Sequence, residues 1–314
     1  IFVLTAAAAQ KAGPGIMWSF VISGFVCAVA ALCYSEIASM VPVSGSAYTY
    51  SYAVMGELIA WMVGWALILE YAVAASAVSV GWSGYFMGLM KSWTGFELPA
   101  LLQAGPAWSM SGFVPVADFS HGVINVPAIV VALSVTWLLM IGTRESANFN
   151  AALVAVKVTA LVMFIALTLP AVKGEHFAPF APNGWFGPAG TTGMGIVGAA
   201  ASIFFAYVGF DAVSTAAEET KNPQRNVPIG LLGSLAICTI FYLLVAGGAI
   251  GAIGAQPTAL GVEPGSAEFA RQCAQLAAQG ETPLVCSNEA LAHVLRSINY
   301  TWAGDMIGLA ANLA

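Results

Sequence analysis

Charged residues are scarce in this sequence. Only 8% of its 314 residues are Asp, Glu, Lys or Arg, against about 25% in a typical soluble domain. None of these four residue types occurs in several long runs, namely residues 12–35, 37–56, 71–90, 119–143, 177–210 and 226–262. Because about 20 apolar residues cross the hydrocarbon core of a bilayer, these runs predict a polytopic membrane protein and exclude a soluble fold.

Histidine is also scarce, which limits the chemistry that the chain can perform. The three histidines, His121, His176 and His293, lie far apart, and no metal-ligand spacing is present. No combination of a nucleophile and a base is visible either, so an enzyme is the least expected class. We expect no metal, no cofactor and no nucleic acid partner.

One motif matches a cofactor-binding fingerprint by its letters alone. Gly193-Met-Gly-Ile-Val-Gly198 has the spacing of a dinucleotide site, which functions only between a strand and a helix of a βαβ unit. In this sequence it opens an apolar span, where glycines allow close helix packing. The spacing of Gly247 and Gly251 likewise indicates a helix contact and no specific function. A nucleotide site is therefore not predicted.

The apolar runs and the turn residues between them predict one transmembrane domain over residues 1–314. Its spans are expected near residues 1–10 (partial), 16–40, 57–90, 123–142, 151–172, 191–217, 227–253 and 291–314 (partial). The loop of residues 91–120 contains several prolines and is expected to include a short surface helix. Because the chain starts without Met and stops inside an apolar run, both ends are expected to lie within a longer protein.

Two of the five cysteines, Cys273 and Cys286, share the long loop before the last predicted span. Basic residues in short loops favour the cytoplasmic side, and Arg144, Lys221 and Arg225 occupy such loops. The cysteine loop is then expected on the opposite side, where an oxidising compartment would permit a disulfide. Two free cysteines are equally compatible with this spacing.

Among the ionisable residues inside predicted spans, Glu70, Lys157 and Asp211 are singled out by their depth, because a charge within the membrane is costly and by default marks a pathway or a coupling site. Glu70 can instead be a neutral acid hydrogen-bonded between helices. Asp211 can cap a half-helix by accepting from its exposed N–H groups, and Lys157 can extend to the nearby interface. Lys157 is also a candidate proton carrier, or a fixed substitute for a bound cation.

The residues before Asp211 predict a helix that is broken within the membrane. Phe205-Ala-Tyr-Val-Gly209 places aromatic residues and a glycine inside a charge-free run. Unwinding would leave carbonyls without intrahelical partners, which is tolerated at membrane depth only where they face protein or a cavity. Such carbonyls suit an ammonium group, and half-helix N-termini suit a carboxylate, so a break predicts an amino acid site. An unbroken helix with packed aromatic residues is the alternative.

Six segments carry a resemblance to a known family. They are Ile1-Phe-Val-Leu-Thr5, Ala31-Leu-Cys-Tyr-Ser-Glu36, Ser44-Gly-Ser-Ala-Tyr-Thr-Tyr-Ser-Tyr52, Leu69-Glu-Tyr71, Gly81-Trp-Ser-Gly-Tyr85 and Phe204-Phe-Ala-Tyr-Val-Gly-Phe-Asp-Ala-Val-Ser-Thr-Ala-Ala-Glu-Glu-Thr-Lys-Asn-Pro-Gln-Arg225. They resemble the cationic amino acid transporter family of the amino acid–polyamine–organocation superfamily. The resemblance is dense up to about residue 253 and weaker beyond it.

This resemblance implies a fold and a substrate site. The implied fold is an all-α polytopic membrane protein of the LeuT type, with two five-helix inverted repeats and discontinuous first and sixth spans. The chain would be a fragment that ends in the eighth span. In the family the substrate carboxylate meets the broken first span, whose glycines would precede residue 1 and whose remnants would be Ile1, Phe2 and Thr5. The α-amino group is expected at the carbonyls of Phe205, Ala206 and Val208.

The resemblance also implies a coupling mechanism. Lys157 matches a fifth-span lysine that replaces the sodium ion of sodium-driven relatives, and Glu70 matches a third-span acid linked to proton coupling. The implied protein is a proton-coupled amino acid permease of the plasma membrane that works by alternating access. The alternatives are an amino acid or polyamine exchanger without proton coupling and, with less support, a membrane sensor or channel.

The expected partners are an L-amino acid, protons and the lipid bilayer. The sequence leaves the oligomeric state open and is compatible with a monomer that carries a small single-span accessory subunit. Asp211 is the one acidic residue near the break that could recognise a basic side chain. This scarcity of acids favours a broad specificity or small neutral amino acids.

Overall fold

The computed structural model describes residues 1–41, 43, 45–111, 114–119, 122–141, 147–189, 193–211, 213–214, 220–255, 267–279 and 283–313. The α-helices in these ranges are α1 (Leu4–Ala12), α2 (Ile16–Met40), α3 (Ser46–Met55), α4 (Glu57–Thr94), α5 (Val126–Ile141), α6 (Ala147–Thr168), α7 (Gly195–Ile203), α8 (Pro223–Ile253), α9 (Ala267–Ala278), α10 (Ala290–Ser297) and α11 (Thr301–Leu313). The helical architecture expected from the sequence is confirmed. The predicted loop around Arg144 lies outside the described residues, as do His121, Glu218 and Glu219.

Four helical stretches in the described part of the chain are long and apolar enough to cross a membrane. They are Leu4–Met40, Glu57–Thr94, Ala151–Ala171 and Gln224–Ile253. Two shorter apolar helices, Val126–Leu138 and Gly195–Tyr207, accompany them. At 1.5 Å per residue α4 is about 57 Å long, and the hydrocarbon core is about 30 Å thick. Part of α4 therefore lies outside the core at any usual tilt.

Two segments differ from the sequence expectation. In the loop after α4 the expected surface helix is a single 3-10 turn, Ala100–Leu102. An antiparallel hairpin follows it, with β1 (Ala107–Ser111) paired to β2 (Val114–Asp118) so that Ala107 is opposite Asp118. The segment expected as one span from residue 291 contains two helices, α10 and α11. Asn299 between them has a φ of 67°, and a left-handed residue ends a right-handed helix.

The chain forms two compact units. The first comprises Ile1–Ile16, Ala75–Ala199 and Leu244–Ala314, and the second comprises Met17–Ala74 and Ala200–Leu243. In the first unit α11 packs against α6 and α10, and the 3-10 turn Leu284–Cys286 packs against α1. A Cβ atom on Gly251 of α8 would lie 2.8 Å from the methyl groups of Val172. The small-residue pattern of α8 therefore serves a close helix contact.

The second unit has its own small core. Ala38, Tyr50 and Val227 are buried together, and Tyr34 is among the partly buried side chains packed against them. The Tyr34 ring meets the ring of Tyr50 edge-on at 6.1 Å and that of Phe210 at 5.8 Å. Aromatic side chains thus join α2 and α3 to the residues that follow α7.

A polar cluster ties α10 to α11 in the first unit. The Arg296 guanidinium donates to the Glu289 carboxylate at 2.6 Å and to the Asp305 carboxylate at 2.9 Å. Ser92 of α4 also donates to Asp305, at 3.0 Å. A Cβ atom on Gly304 would lie 2.7 Å from Cγ of Arg296, so the glycine makes room for the arginine. Burial raises the pKa of the Glu289 carboxyl above its usual range, although Arg296 opposes the shift.

The raised pKa of Glu289 predicts the pH dependence of a variant. The stability that such a carboxyl contributes is present below its usual pKa of about 4.3 and is lost as pH rises through the folded-state pKa. Glu289→Gln removes this loss, so the Tm of the variant relative to the wild type should increase between about pH 4 and pH 8. The measurement is thermal unfolding in detergent across this range.

Glu175→Gln is the matched control, since Glu175 pairs with Lys173 at 3.8 Å and its side chain is 73% exposed. Its Tm difference from the wild type should stay flat with pH. A flat or declining difference for Glu289→Gln would contradict the assignment.

Candidate functional site

The α-helix of the segment around residue 204 is interrupted, as the sequence predicted. Helix α7 ends at Ile203, the residues Phe204–Tyr207 form a 3-10 helix, and a turn follows through Phe210. Gly209 has a φ of 106°, which L-residues with a side chain rarely adopt. The turn therefore requires a glycine at position 209, and this conformation prevents the helix from continuing through that residue.

The interruption changes the hydrogen bonds of its carbonyl groups. The Phe205 carbonyl accepts from the amide of Val208 at 3.4 Å, and the Tyr207 carbonyl accepts from the amide of Phe210 at 3.2 Å. The Ala206 carbonyl accepts from the hydroxyl of Tyr242 in α8, at 3.0 Å. A carbonyl oxygen has two lone pairs, so this oxygen retains capacity for a second donor.

An aromatic cluster surrounds this carbonyl within the second unit. The ring of Tyr242 lies 5.3 Å from that of Tyr207 and 5.7 Å from that of Phe20 in α2. The Tyr207 hydroxyl donates to the Phe20 carbonyl at 3.2 Å. A Cβ atom on Gly24 would lie 3.1 Å from the same hydroxyl. The cluster therefore attaches the interrupted segment to α2 and α8 at once.

Two carboxyl groups lie at the far end of the interruption. Asp211 is only 5% exposed, and its carboxylate accepts from the hydroxyl of Tyr71 at 3.3 Å. Glu70 precedes Tyr71 in α4 and is close enough to Asp211 for an electrostatic interaction. The Asp211 carbonyl accepts from the Ser214 hydroxyl at 2.6 Å and from the Ser46 hydroxyl at 3.5 Å. The structure thus brings together Glu70 and Asp211, which the sequence singled out separately.

The predicted role of Asp211 as a helix cap stays a prediction. The carboxylate partner that the structure describes is a tyrosine hydroxyl, and residues 212 and 215–219 lie outside the described ranges. The described residues form a group of two carboxyls and a phenol at the end of the interrupted segment.

The residues expected on the carboxylate side, Ile1, Phe2 and Thr5, lie at the start of the first unit. Thr5 is fully buried, and its hydroxyl donates to the Ile1 carbonyl at 2.9 Å. The Phe2 carbonyl accepts from the hydroxyl of Tyr85 at 2.8 Å. These three residues form a local turn into α1 whose carbonyl groups are oriented by hydroxyl donors.

Lys157 and the cysteine pair also belong to the first unit. Lys157 lies in α6 and is partly exposed. Cys273 of α9 and Cys286 form a disulfide with a Cα–Cα distance of 5.5 Å, which connects α9 to the 3-10 turn packed on α1.

The described residues contain no group of three or more His, Cys, Asp or Glu side chains that could hold a metal ion.

The glycine motif at residues 193–198 opens α7. The described residues before it, 177–189, form turns and contain no strand, so the context of a dinucleotide site is missing. A Cβ atom on Gly195 would lie 2.9 Å from the Trp185 backbone. The glycines therefore allow the preceding turn to pack on the start of the helix.

Comparison with known proteins assigns the family. Residues 1–283 match the family model described as amino acid permease. The chain belongs to this family. Membership of the amino acid–polyamine–organocation superfamily, as the sequence motifs predicted, is confirmed, and the apolar helices agree with a membrane protein.

Several relatives of this permease family member are transporters by name. It is 47% identical over 245 residues to the branched-chain amino acid permease BcaP of Bacillus subtilis, covering 78% of this chain and 49% of the relative. It is 43% identical over 246 residues to the methylthioribose transporter of the same organism, with the same coverage. Cationic amino acid transporter 9, chloroplastic, of Arabidopsis thaliana is 36% identical over 246 residues, covering 77% of this chain and 40% of the relative. The chain spans about half the length of the bacterial relatives that it matches.

Sequence reasoning misses the tyrosines of the site. By pattern Tyr242 and Tyr207 are ordinary members of apolar spans, and Tyr71 and Tyr85 stand out only as parts of family motifs. A signal is present, because a buried tyrosine hydroxyl needs a hydrogen-bond partner. The sequence does not indicate which carbonyl or carboxylate each hydroxyl reaches.

The conformation of Gly209 predicts the effect of an alanine. A Cβ atom at this position would meet nothing within 4 Å, so the cost of Gly209→Ala comes from the backbone alone. The left-handed conformation costs an L-residue about 1–2 kcal/mol, and the Tm in detergent should fall accordingly.

Gly233→Ala is the control, since a Cβ atom there also meets nothing within 4 Å and Gly233 lies inside α8. An alanine in a helix interior is favoured over glycine by about 0.5–1 kcal/mol, so this variant should be at least as stable as the wild type. Equal Tm shifts for the two variants would show that the turn at Gly209 is not as described.

Proposed function

We propose that this chain is part of a secondary active amino acid permease of the plasma membrane that couples uptake to protons by alternating access. The observation that carries the proposal is the interrupted helix of the second unit. Its Ala206 carbonyl is directed by a tyrosine hydroxyl and retains a free lone pair, and two carboxyl groups lie beyond the same turn. The names of the relatives support transport across a membrane as the activity.

The carbonyls of Phe205, Ala206 and Val208 are proposed to bind the α-amino group of the substrate. An ammonium group has three donors and no acceptor, so it pairs best with carbonyl oxygens that lie outside an α-helical ladder and keep room for a second donor. A carbonyl already held by Tyr242 needs little reorientation when the substrate binds, which favours affinity. The substrate carboxylate is proposed to meet the backbone of the first span, of which Ile1, Phe2 and Thr5 are the part in this sequence.

Proton coupling is proposed to use Lys157 and Glu70. Lys157 would accept a proton from outside, order the first and eighth spans around the substrate and release the proton inward. This role is supported by the packing of α6, which carries Lys157, against α11 in the same unit. The electrostatic interaction of Glu70 with Asp211 supports a role of Glu70 in this coupling.

The proposal is tested by uptake of labelled amino acid into proteoliposomes that contain the complete protein. An inward proton gradient should accelerate uptake by the wild type. Lys157→Ala should abolish this acceleration, because the variant has no side chain to carry the proton.

Lys173→Ala is the matched control for that experiment, since Lys173 lies in the same unit with its side chain 65% exposed and paired with Glu175. Its uptake should respond to the gradient as the wild type does. Gradient-driven uptake by Lys157→Ala would eliminate the coupling role of Lys157 and leave the transport proposal standing.

An exchanger without proton coupling is the second candidate. An exchanger needs only substrate on the far side of the membrane. Counterflow in the absence of a pH gradient, combined with no response of net uptake to that gradient, would establish exchange in place of symport.

The substrate class is proposed to be small neutral or branched-chain amino acids. One relative is named for branched-chain amino acids, another for methylthioribose and a third for cationic amino acids. A binding panel should therefore include leucine, alanine, arginine and methylthioribose. Tightest binding of methylthioribose would overturn the amino acid assignment, and tightest binding of arginine would overturn its neutral subclass.

The bond between Tyr242 and Ala206 predicts the effect of removing one hydroxyl. Tyr242→Phe keeps the ring contacts and frees the Ala206 carbonyl to reorient. A hydrogen bond of about 1 kcal/mol corresponds to about fivefold in affinity, so the Kd for the preferred amino acid should rise by about that factor. The measurement is a binding titration of the purified protein.

Tyr207→Phe removes the other hydroxyl of the same cluster, which binds the Phe20 carbonyl in α2. This control should lower the Tm and leave the Kd within about twofold of the wild type. Equal effects of both variants on the Kd would show that Tyr242 has no particular role at the interrupted segment.

A further inference from the structure

One buried hydroxyl joins three segments of the first unit. Tyr85 of α4 is 1% exposed, and its hydroxyl donates to the Phe2 carbonyl at 2.8 Å. The same oxygen accepts from the backbone N–H of Leu291 in α10 at 3.2 Å. The rings of Phe2 and Tyr85 meet edge-on at 6.0 Å. A single side chain on α4 thus holds both the start of the chain and a helix near its end.

Both of these bonds satisfy backbone groups that helix geometry leaves unpaired. Leu291 lies in the first turn of α10, where amide groups have no intrahelical acceptor. The residue that precedes α10, Glu289, makes no capping bond through its side chain. Phe2 comes before Val3, the N-cap of α1, so its carbonyl lies outside the helical ladder. Removal of the Tyr85 hydroxyl would leave both the Leu291 amide and the Phe2 carbonyl without this partner.

The face of α4 that carries Tyr85 is shaped to receive these segments. Gly81 lies one turn earlier on the same face, and a Cβ atom there would come within 2.9 Å of Val3. Gly88 lies on the next turn, where a Cβ atom would overlap the Glu289 carboxylate. The start of α1 and the start of α10 therefore approach the same strip of α4, and Tyr85 stands between the two contacts.

We propose that Tyr85 is a positioning residue for substrate binding, whose hydroxyl fixes the Phe2 carbonyl, and with it the start of α1, to the N-terminus of α10. The inference rests on the proposed function, in which the first-span backbone around Phe2 meets the substrate carboxylate. Tyr85 acts through Phe2 and does not touch the substrate. Its loss should therefore weaken substrate binding and change the maximal rate less.

The test compares Tyr85→Phe with Ser83→Ala in the complete protein. Ser83 is a matched control because it is also a buried hydroxyl of α4, but its partners are the Val80 carbonyl and the Asn125 side chain of the approach to α5. Three quantities are measured, namely the Kd for the preferred amino acid, the maximal uptake rate, and hydrogen exchange at the Leu291 amide. Exchange reports on the bond to α10 whether or not the protein transports amino acids.

Tyr85→Phe is expected to raise the Kd about fivefold, to accelerate Leu291 exchange and to keep the maximal rate within about twofold. Ser83→Ala should alter neither the Kd nor the exchange. Faster exchange in Tyr85→Phe with an unchanged Kd would overturn the positioning role and leave a structural bond. If the wild type bound no amino acid, the proposed function would fail. Unchanged exchange at the Leu291 amide in Tyr85→Phe would overturn the inference about Tyr85, whether or not the protein binds an amino acid.

A second variant keeps the proposal falsifiable if Tyr85→Phe does not fold. Gly81→Ala retains the tyrosine and presses on Val3, the residue after Phe2, from the same face of α4. It should also raise the Kd, because a Cβ atom there would lie 2.9 Å from a methyl group of Val3, so Val3 must shift. A Kd equal to that of the wild type in a folded Gly81→Ala protein would count against the positioning role.

Discussion

The need of every backbone polar group for a partner shapes this chain more than any other constraint. Within a membrane no water is present to satisfy a free carbonyl, so an interruption in a spanning helix survives only where other groups supply the missing bonds. The interruption after Ile203 meets this need in two ways. Amides of the same turn bond the carbonyls of Phe205 and Tyr207, and a hydroxyl from α8 bonds that of Ala206. These bonds hold the interrupted segment in place.

Tyrosine hydroxyls also provide hydrogen bonds to polar groups elsewhere in both units. Tyr71 donates to the buried Asp211 carboxylate, Tyr207 donates to a carbonyl of α2, and Tyr85 connects two helix starts. A phenol combines a large apolar ring with one polar tip, so it can cross a packed interior and satisfy a single backbone group without introducing a charge. In a sequence with few charged residues, these hydroxyl groups connect segments that lie far apart along the chain. The Arg296 cluster shows where a charge is still used, at the junction of α10 and α11.

The family relationship and the choice of substrate are separate questions. Two relatives of similar identity, 47% and 43%, are named for branched-chain amino acids and for methylthioribose. The proposed site for the amino group consists of backbone carbonyls, which would pair with any ligand that has a suitable donor, so it carries little information about the rest of the substrate. Under this proposal, discrimination between substrates would come from side chains in the rest of the site. Overall identity therefore predicts the transport scaffold well and the substrate poorly.

The sequence by itself determined the helical membrane class and indicated an interruption near Gly209. These follow from hydropathy and from the conformational freedom of glycine, which are properties of neighbouring residues along the chain. The tertiary structure alone decided which hydroxyl reaches which backbone group, that Glu70 and Asp211 interact, and that the segment from residue 290 is two helices. Tyr71 and Asp211 are 140 positions apart, and Tyr85 and Leu291 are 206 apart. No local pattern encodes such pairs, because their proximity results from the packing of whole helices, whereas a span needs only its own residues to be apolar.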